Sequence, residues 1–173
     1  SLVWKEIEKQ TILTVLVRPL SRFEFLMGKF FGLLSIVCVL ILALSIVLIV
    51  ICLGMQWSLN PTFFVALYGM LLEGCIIVSL AMLFGSVSKP VLSVSSVMGI
   101  FLIGHWVNDL NYFATRSESV VFGMIGKGIA VILPNLERFN WRPLVVYADS
   151  VSFSEIAKAT IYAIGWMMVL FSL

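Results

Sequence analysis

The chain has 173 residues, of which 61% are hydrophobic and 12% charged, with a net charge of +2. A soluble domain is about 45–50% apolar and about a quarter charged, so this composition excludes an ordinary water-soluble fold and requires contact with lipid. So small a net charge does not suggest a nucleic-acid-binding surface.

The chain opens on Ser1-Leu2-Val3-Trp4 and turns at once to the charged run Lys5-Glu6-Ile7-Glu8-Lys9. A cleaved signal peptide has a basic start, a short apolar stretch and a small-residue cleavage site. None of these is present, and the sequence reads as a piece of a longer chain. Residues 1–30 mix Lys5, Glu6, Glu8, Lys9, Arg18, Arg22, Glu24 and Lys29 with Ile7, Ile12, Leu13, Val15, Leu16 and Leu20. That mixture predicts one or two amphipathic helices on the membrane surface, interrupted at Pro19.

Crossing a bilayer takes about 20 apolar residues in helix, and four segments approach that length. The first spans about Phe31 to Leu53, in a stretch with no Asp, Glu, Lys, Arg or His between Lys29 and Glu73. Gly54 and the Asn60-Pro61 turn close it. The second runs from about Phe63 to Phe84 with Glu73 at its centre. The third, about Val91 to Val107, follows the break Ser86–Lys89, with Pro90 suited to a first helical turn. Between Asp109 and Glu155, the stretch Val120 to Leu133 is too short to cross comfortably and predicts an interfacial or re-entrant helix ended by Pro134-Asn135. The fourth span starts near Glu155 and is still apolar at Leu173.

Backbone groups in lipid must be hydrogen-bonded within their own segment, and the runs lack the alternation of barrel strands. The expected fold is therefore an all-α integral membrane domain over 1–173: a surface region at 1–30, three membrane helices in 31–107, a loop at 108–154 and a last helix at 155–173. Cys38, Cys52 and Cys75 are odd in number, widely spaced and set in apolar runs, which fits neither a disulfide framework nor a CxxC metal pair. They read as small hydrophobes.

Charged groups inside the spans carry the functional questions. Glu73 at a helix centre costs perhaps 2.5–3.5 kcal/mol on insertion scales, so it should face other helices, a cavity or a partner. It either lines a translocation path or binds a cation, or it holds helices together as a hydrogen-bonded acid. His105 and Asp109 are four apart and share a helix face. They read as a polar pair at the membrane boundary, since no HExxH or Cys cluster completes a metal site. Trp106, Trp141 and Tyr147 read as interface anchors.

The stretch Glu6 to Arg22, with Thr11-Ile12 and Pro19-Leu20-Ser21-Arg22, followed by Gly28-Lys29, resembles the type-2 ABC exporter permeases. There a cytoplasmic element of the form Glu, Thr-Leu, Pro-x-Ser-Arg and Gly-Lys leads into a membrane helix. This chain departs from the pattern in Ile12, where Leu is commoner, and in Gln10, where Gly is frequent. Leu133-Pro134-Asn135-Leu136 also looks like members related to multicopper-enzyme maturation permeases. On charge pattern alone the early stretch reads as a solvated face. With the resemblance, Glu6, Glu8, Thr11, Pro19, Arg22 and Lys29 are expected to form a coupling element that docks a soluble partner.

The resemblance implies that the four spans are the third to sixth of six, and that residues 108–154 are extracytoplasmic. Lys and Arg divide six to five between the two sides, which hardly decides orientation by itself. It further implies a dimeric permease in a prokaryotic cell membrane, working with an ATP-binding cassette subunit that carries ATP and Mg. The chain has no GxxxxGK[ST] loop, so the expectation is that it neither hydrolyses ATP nor acts as an enzyme. A non-transporting membrane scaffold is the alternative, and an intramembrane enzyme built from Glu73, His105 and Asp109 is a third reading.

Overall fold

The computed structural model describes residues 21–56, 59–116, 128, 132–147 and 149–172. Among these there is no β-strand, and four helices are long and apolar enough to cross a membrane. The protein is an all-α, multi-pass membrane protein. The coupling residues Glu6, Glu8, Thr11 and Pro19, and most of the 120–133 stretch, lie outside the described residues.

The first helix, α1, runs from Arg22 to Gly54 over 33 residues, and so starts well before the expected Phe31. Residues 22–30 are therefore the first turns of the membrane helix and not a separate surface element. The reason is local. Ser21 is the N-cap: its Oγ accepts from the Glu24 backbone N–H at 3.1 Å, while the Glu24 carboxylate accepts from the Ser21 N–H at 2.8 Å. This reciprocal capping box starts a helix, and nothing between Glu24 and Phe31 breaks it. Replacing Ser21 with alanine is expected to weaken the first turn by about 1 kcal/mol. Faster amide exchange at Glu24 and Phe25 would report it, and unchanged exchange would count against the cap.

Helix α2 covers Thr62–Val87 and α3 covers Pro90–Arg116. Pro90 is the first helical residue, as its missing N–H permits. Helix α3 continues past the expected Val107, because Asn108 and Asp109 are polar without being helix breakers. In the loop that follows, a 3-10 turn at Leu136–Phe139 precedes the short helix α4, Arg142–Tyr147. Helix α5, Phe153–Ser172, begins two residues before the expected Glu155.

Short connections make α1, α2 and α3 antiparallel neighbours. One end of the bundle thus holds Arg22, the 88–89 turn and Ser172, and the other holds Gly54, Thr62, Arg116 and Phe153. Helix α2 is central: 56% of its apolar window is buried, against 6% for α1. Apolar side chains gain little by leaving lipid for protein, so close approach and polar contacts specify the packing. Small residues supply the approach. Ala66 of α2 and Ala159 and Ala163 of α5 belong to one buried cluster, and the Tyr68 hydroxyl lies 2.9 Å from Thr160 Oγ1. Across the other face, Gly74 leaves room for Val37 of α1.

The loop does not merely cap the bundle. Pro134, Leu136, Phe139 and Trp141 are buried, and their backbone fits two notches, one at Gly69 of α2 beneath the Phe139 carbonyl and one at Gly104 of α3 beneath Pro134 and Leu136. Residues 134–147 form a re-entrant segment, wedged against α2, α3 and α5. Trp141 is accordingly a core residue at 7% exposure, not the interface anchor its type suggested, whereas Trp106 and Tyr147 are exposed as anchors require.

Candidate functional site

The re-entrant segment carries a cation to Glu73, the acid at the centre of α2. Glu73 sits near the middle of α2, roughly 16 Å along the helix from Thr62, and is 4% exposed. Its Oε2 accepts a hydrogen bond from Arg142 Nη2 at 2.8 Å. Arg142 is the first residue of α4, directly after Trp141, whose ring lies against Gly69. The fit of Trp141 and Phe139 into that notch therefore aims the guanidinium at the carboxylate. From there the chain climbs back along α2 until the Asp149 carbonyl accepts from Thr62 Oγ1 at 2.8 Å.

His105 of α3 completes the group from the other side. Its Nε2 lies 3.4 Å from Glu73 Oε1, and its Nδ1 lies 3.1 Å from the Phe101 carbonyl. The Nε2 atom is buried and makes no hydrogen bond. Helices α2, α3 and α4 thus each contribute one ionisable group to a point inside the bundle. Removing a charged partner there leaves the other group in low dielectric, which makes the cluster a strong positional constraint.

The pairing expected from spacing, His105 with Asp109, does not form. Asp109 is exposed, and the His105 ring turns toward α2. Arg142 had no sequence signal beyond its charge; a lone acid in a span calls for a cation, but five of them lie in or next to the loop region. Among the described residues no group of three or more His, Cys, Asp or Glu stands together to hold a metal ion. Of the coupling residues within reach, Arg22 begins α1 and Lys29 lies on it, with its ammonium 4.7 Å from the Phe25 ring centre.

A second polar feature opens where the loop meets α5. A cavity of about 380 Å³ is lined by Glu137, Arg138, Trp141, Glu155, Lys158 and Ala159. Arg138 stacks over the Tyr162 ring at 5.0 Å. The loop residue Asn135 donates its backbone N–H to the Tyr162 hydroxyl at 2.8 Å and its side-chain amide to Asn108 at 2.7 Å. Pro134-Asn135-Leu136 is thus the junction that ties the re-entrant segment to both α3 and α5.

Ser45, Ser79, Ser95 and Thr160 each donate to the carbonyl four residues earlier in their own helix. Comparison with family models, with characterised proteins and with solved structures finds no match to this chain.

Proposed function

We propose that the chain is the membrane permease subunit of a transporter, working outward across a prokaryotic cytoplasmic membrane and powered by a separate ATP-binding cassette subunit. The observation that supports this reading best is the junction at Ser21. Ser21 caps a helix of 33 residues that starts at Arg22, so a displacement of the segment before it in the sequence would be transmitted to a membrane span. A capped helix start is stiff where an uncapped one frays. Glu6, Glu8, Thr11, Pro19, Arg22 and Lys29 form the docking element in this proposal, and ATP and Mg sit on the partner.

The wide exposure of α1 is consistent with a second permease subunit or lipid lying against it. Residues 1–30 and Lys89 face the cytoplasm in this arrangement, and the re-entrant segment faces outward. Substrate would move as two such subunits rock between inward- and outward-facing states.

A scaffold without transport activity is the second reading. It is favoured by one feature: Glu73 is occupied in holding the loop through Arg142. Co-purification from membranes separates the two. Deleting residues 5–20, or replacing Glu6 with lysine, is expected to abolish association with a P-loop ATPase while membrane insertion persists. Equal recovery of the ATPase with wild type and deletion would overturn the coupling role, and recovery with neither would favour the scaffold.

A further inference from the structure

The cavity between the re-entrant segment and α5 brings two acids and two cations to one place. Glu137 and Arg138 come from the 3-10 turn, Glu155 and Lys158 from the start of α5, and the buried Trp141 and Ala159 complete the wall. Its volume of about 380 Å³ is at the small end of the roughly 300–1,000 Å³ usual for ligand sites. Among the described residues these four charges form no ion pair with one another. The two from the loop are held by other groups. Arg138 lies over the Tyr162 ring at 5.0 Å, and Glu137 Oε1 accepts from the Asn140 side-chain amide at 3.1 Å. Arg138, Glu155 and Lys158 are exposed, so both signs of charge are presented to an incoming ligand.

Depth and charge narrow the ligand. Glu155 and Lys158 are the third and sixth residues of α5, within about 8 Å of its start along the axis, and from Ala159 to Ser172 the helix carries no charge. The cavity therefore sits where a membrane span begins, at the level of phospholipid headgroups. A purely anionic headgroup would suit Arg138 and Lys158 but would meet Glu137 and Glu155 as like charges. A headgroup with both a phosphate and an ammonium satisfies all four. Quaternary ammonium groups are held in aromatic cages, whereas this cavity has two carboxylates and a single aromatic wall, Trp141. Carboxylates call for an ammonium that still has N–H donors.

We propose that the cavity binds the headgroup of a zwitterionic phospholipid with a primary amine, its phosphate on Arg138 and Lys158 and its ammonium on Glu137 and Glu155. Each end of the headgroup then contacts one loop residue and one residue of α5, so the bound lipid ties the re-entrant segment to the last span. The site is independent of the transport reading, because it follows from the charges, their partners and their depth alone.

Native mass spectrometry of the delipidated protein in detergent tests this, by titration with phosphatidylethanolamine, phosphatidylcholine and phosphatidylglycerol of matched acyl chains. Phosphatidylethanolamine is expected to bind about tenfold more tightly than either of the others, which is what one added charge-assisted hydrogen bond is worth. Glu155→Gln should weaken phosphatidylethanolamine and leave phosphatidylglycerol as tight or tighter, whereas Lys158→Gln should weaken both. The two side chains are exposed, so neither variant disturbs the packing of α5. Phosphatidylglycerol binding the wild type as tightly as phosphatidylethanolamine would reduce the site to a basic patch and overturn the proposal. Equal binding of phosphatidylcholine overturns the primary amine, and affinities unchanged in both variants overturn the site itself. Water-soluble glycerophosphoethanolamine is the last control: if it binds as tightly as the lipid, the assignment to a membrane lipid fails.

Discussion

Replacing Arg142 with methionine is expected to destabilise the bundle by about 2–3 kcal/mol, and adding Glu73→Gln should recover more than half of that loss. Removing one partner of a buried ion pair typically costs about 3–5 kcal/mol, because the other charge is left in low dielectric. The expected value falls below that range because the Arg142 side chain is 46% exposed, while that of Glu73 is 5% exposed, so water reaches the guanidinium side. His105 also remains beside the stranded carboxylate. Unfolding of the two single variants and the double in mixed micelles measures the coupling. Strictly additive losses would mean that the 2.8 Å contact contributes nothing to holding the loop.

The second large effect comes from the notch in α2. A methyl group at position 69 would run into the Phe139 carbonyl and approach Trp141 Cε3 at 3.0 Å, and both belong to backbone or ring held inside the core. Gly69→Ala should therefore lose about 3 kcal/mol, the upper end of ordinary overpacking, despite alanine being the better helix former by about 1 kcal/mol. Gly104→Ala meets Pro134 O and Leu136 Cγ at 2.9 Å each and should act in the same direction. Both substitutions should raise amide exchange at Leu136 and Phe139 by releasing the re-entrant segment. Gly99 and Gly165 have open space around them and supply the controls, since alanine at either should leave exchange unaltered. If all four substitutions behave alike, the notches have no special role.

These two effects describe one device seen from opposite sides. The glycine notches let the loop backbone approach α2 and α3, and the approach brings Arg142 to Glu73. Loosening either end should weaken the other, so Gly69→Ala and Arg142→Met are expected to be less than additive when combined.

Much of the architecture was legible in residue order. The run without a formal charge between Lys29 and Glu73 leaves helix as the only way to satisfy the backbone in lipid, and Pro61 and Pro90 mark two helix starts. Two boundaries differ from the expectation for related reasons. The charged residues at 22–30 suggest a segment outside the span, yet the Ser21–Glu24 capping box carries the helix through them. Polar residues suggest an end to the third span near Val107, yet Asn108 and Asp109 leave its backbone bonding intact. The type of Trp141 suggests an interface, whereas its position over Gly69 places it in the core.

The amino-acid sequence by itself determined the class, the number of spans and the need for Glu73 to find a partner, because lipid penalises unpaired backbone and unpaired charge wherever they occur. It left the partner open. Spacing joined His105 to Asp109, since residues four apart share a helix face. Only the tertiary structure turned His105 toward Glu73 and brought in Arg142, which is 69 positions away in the chain. That choice rests on the shape of two glycine notches and a loop folded back among three helices, and contacts of that range have no period along the chain from which to read them.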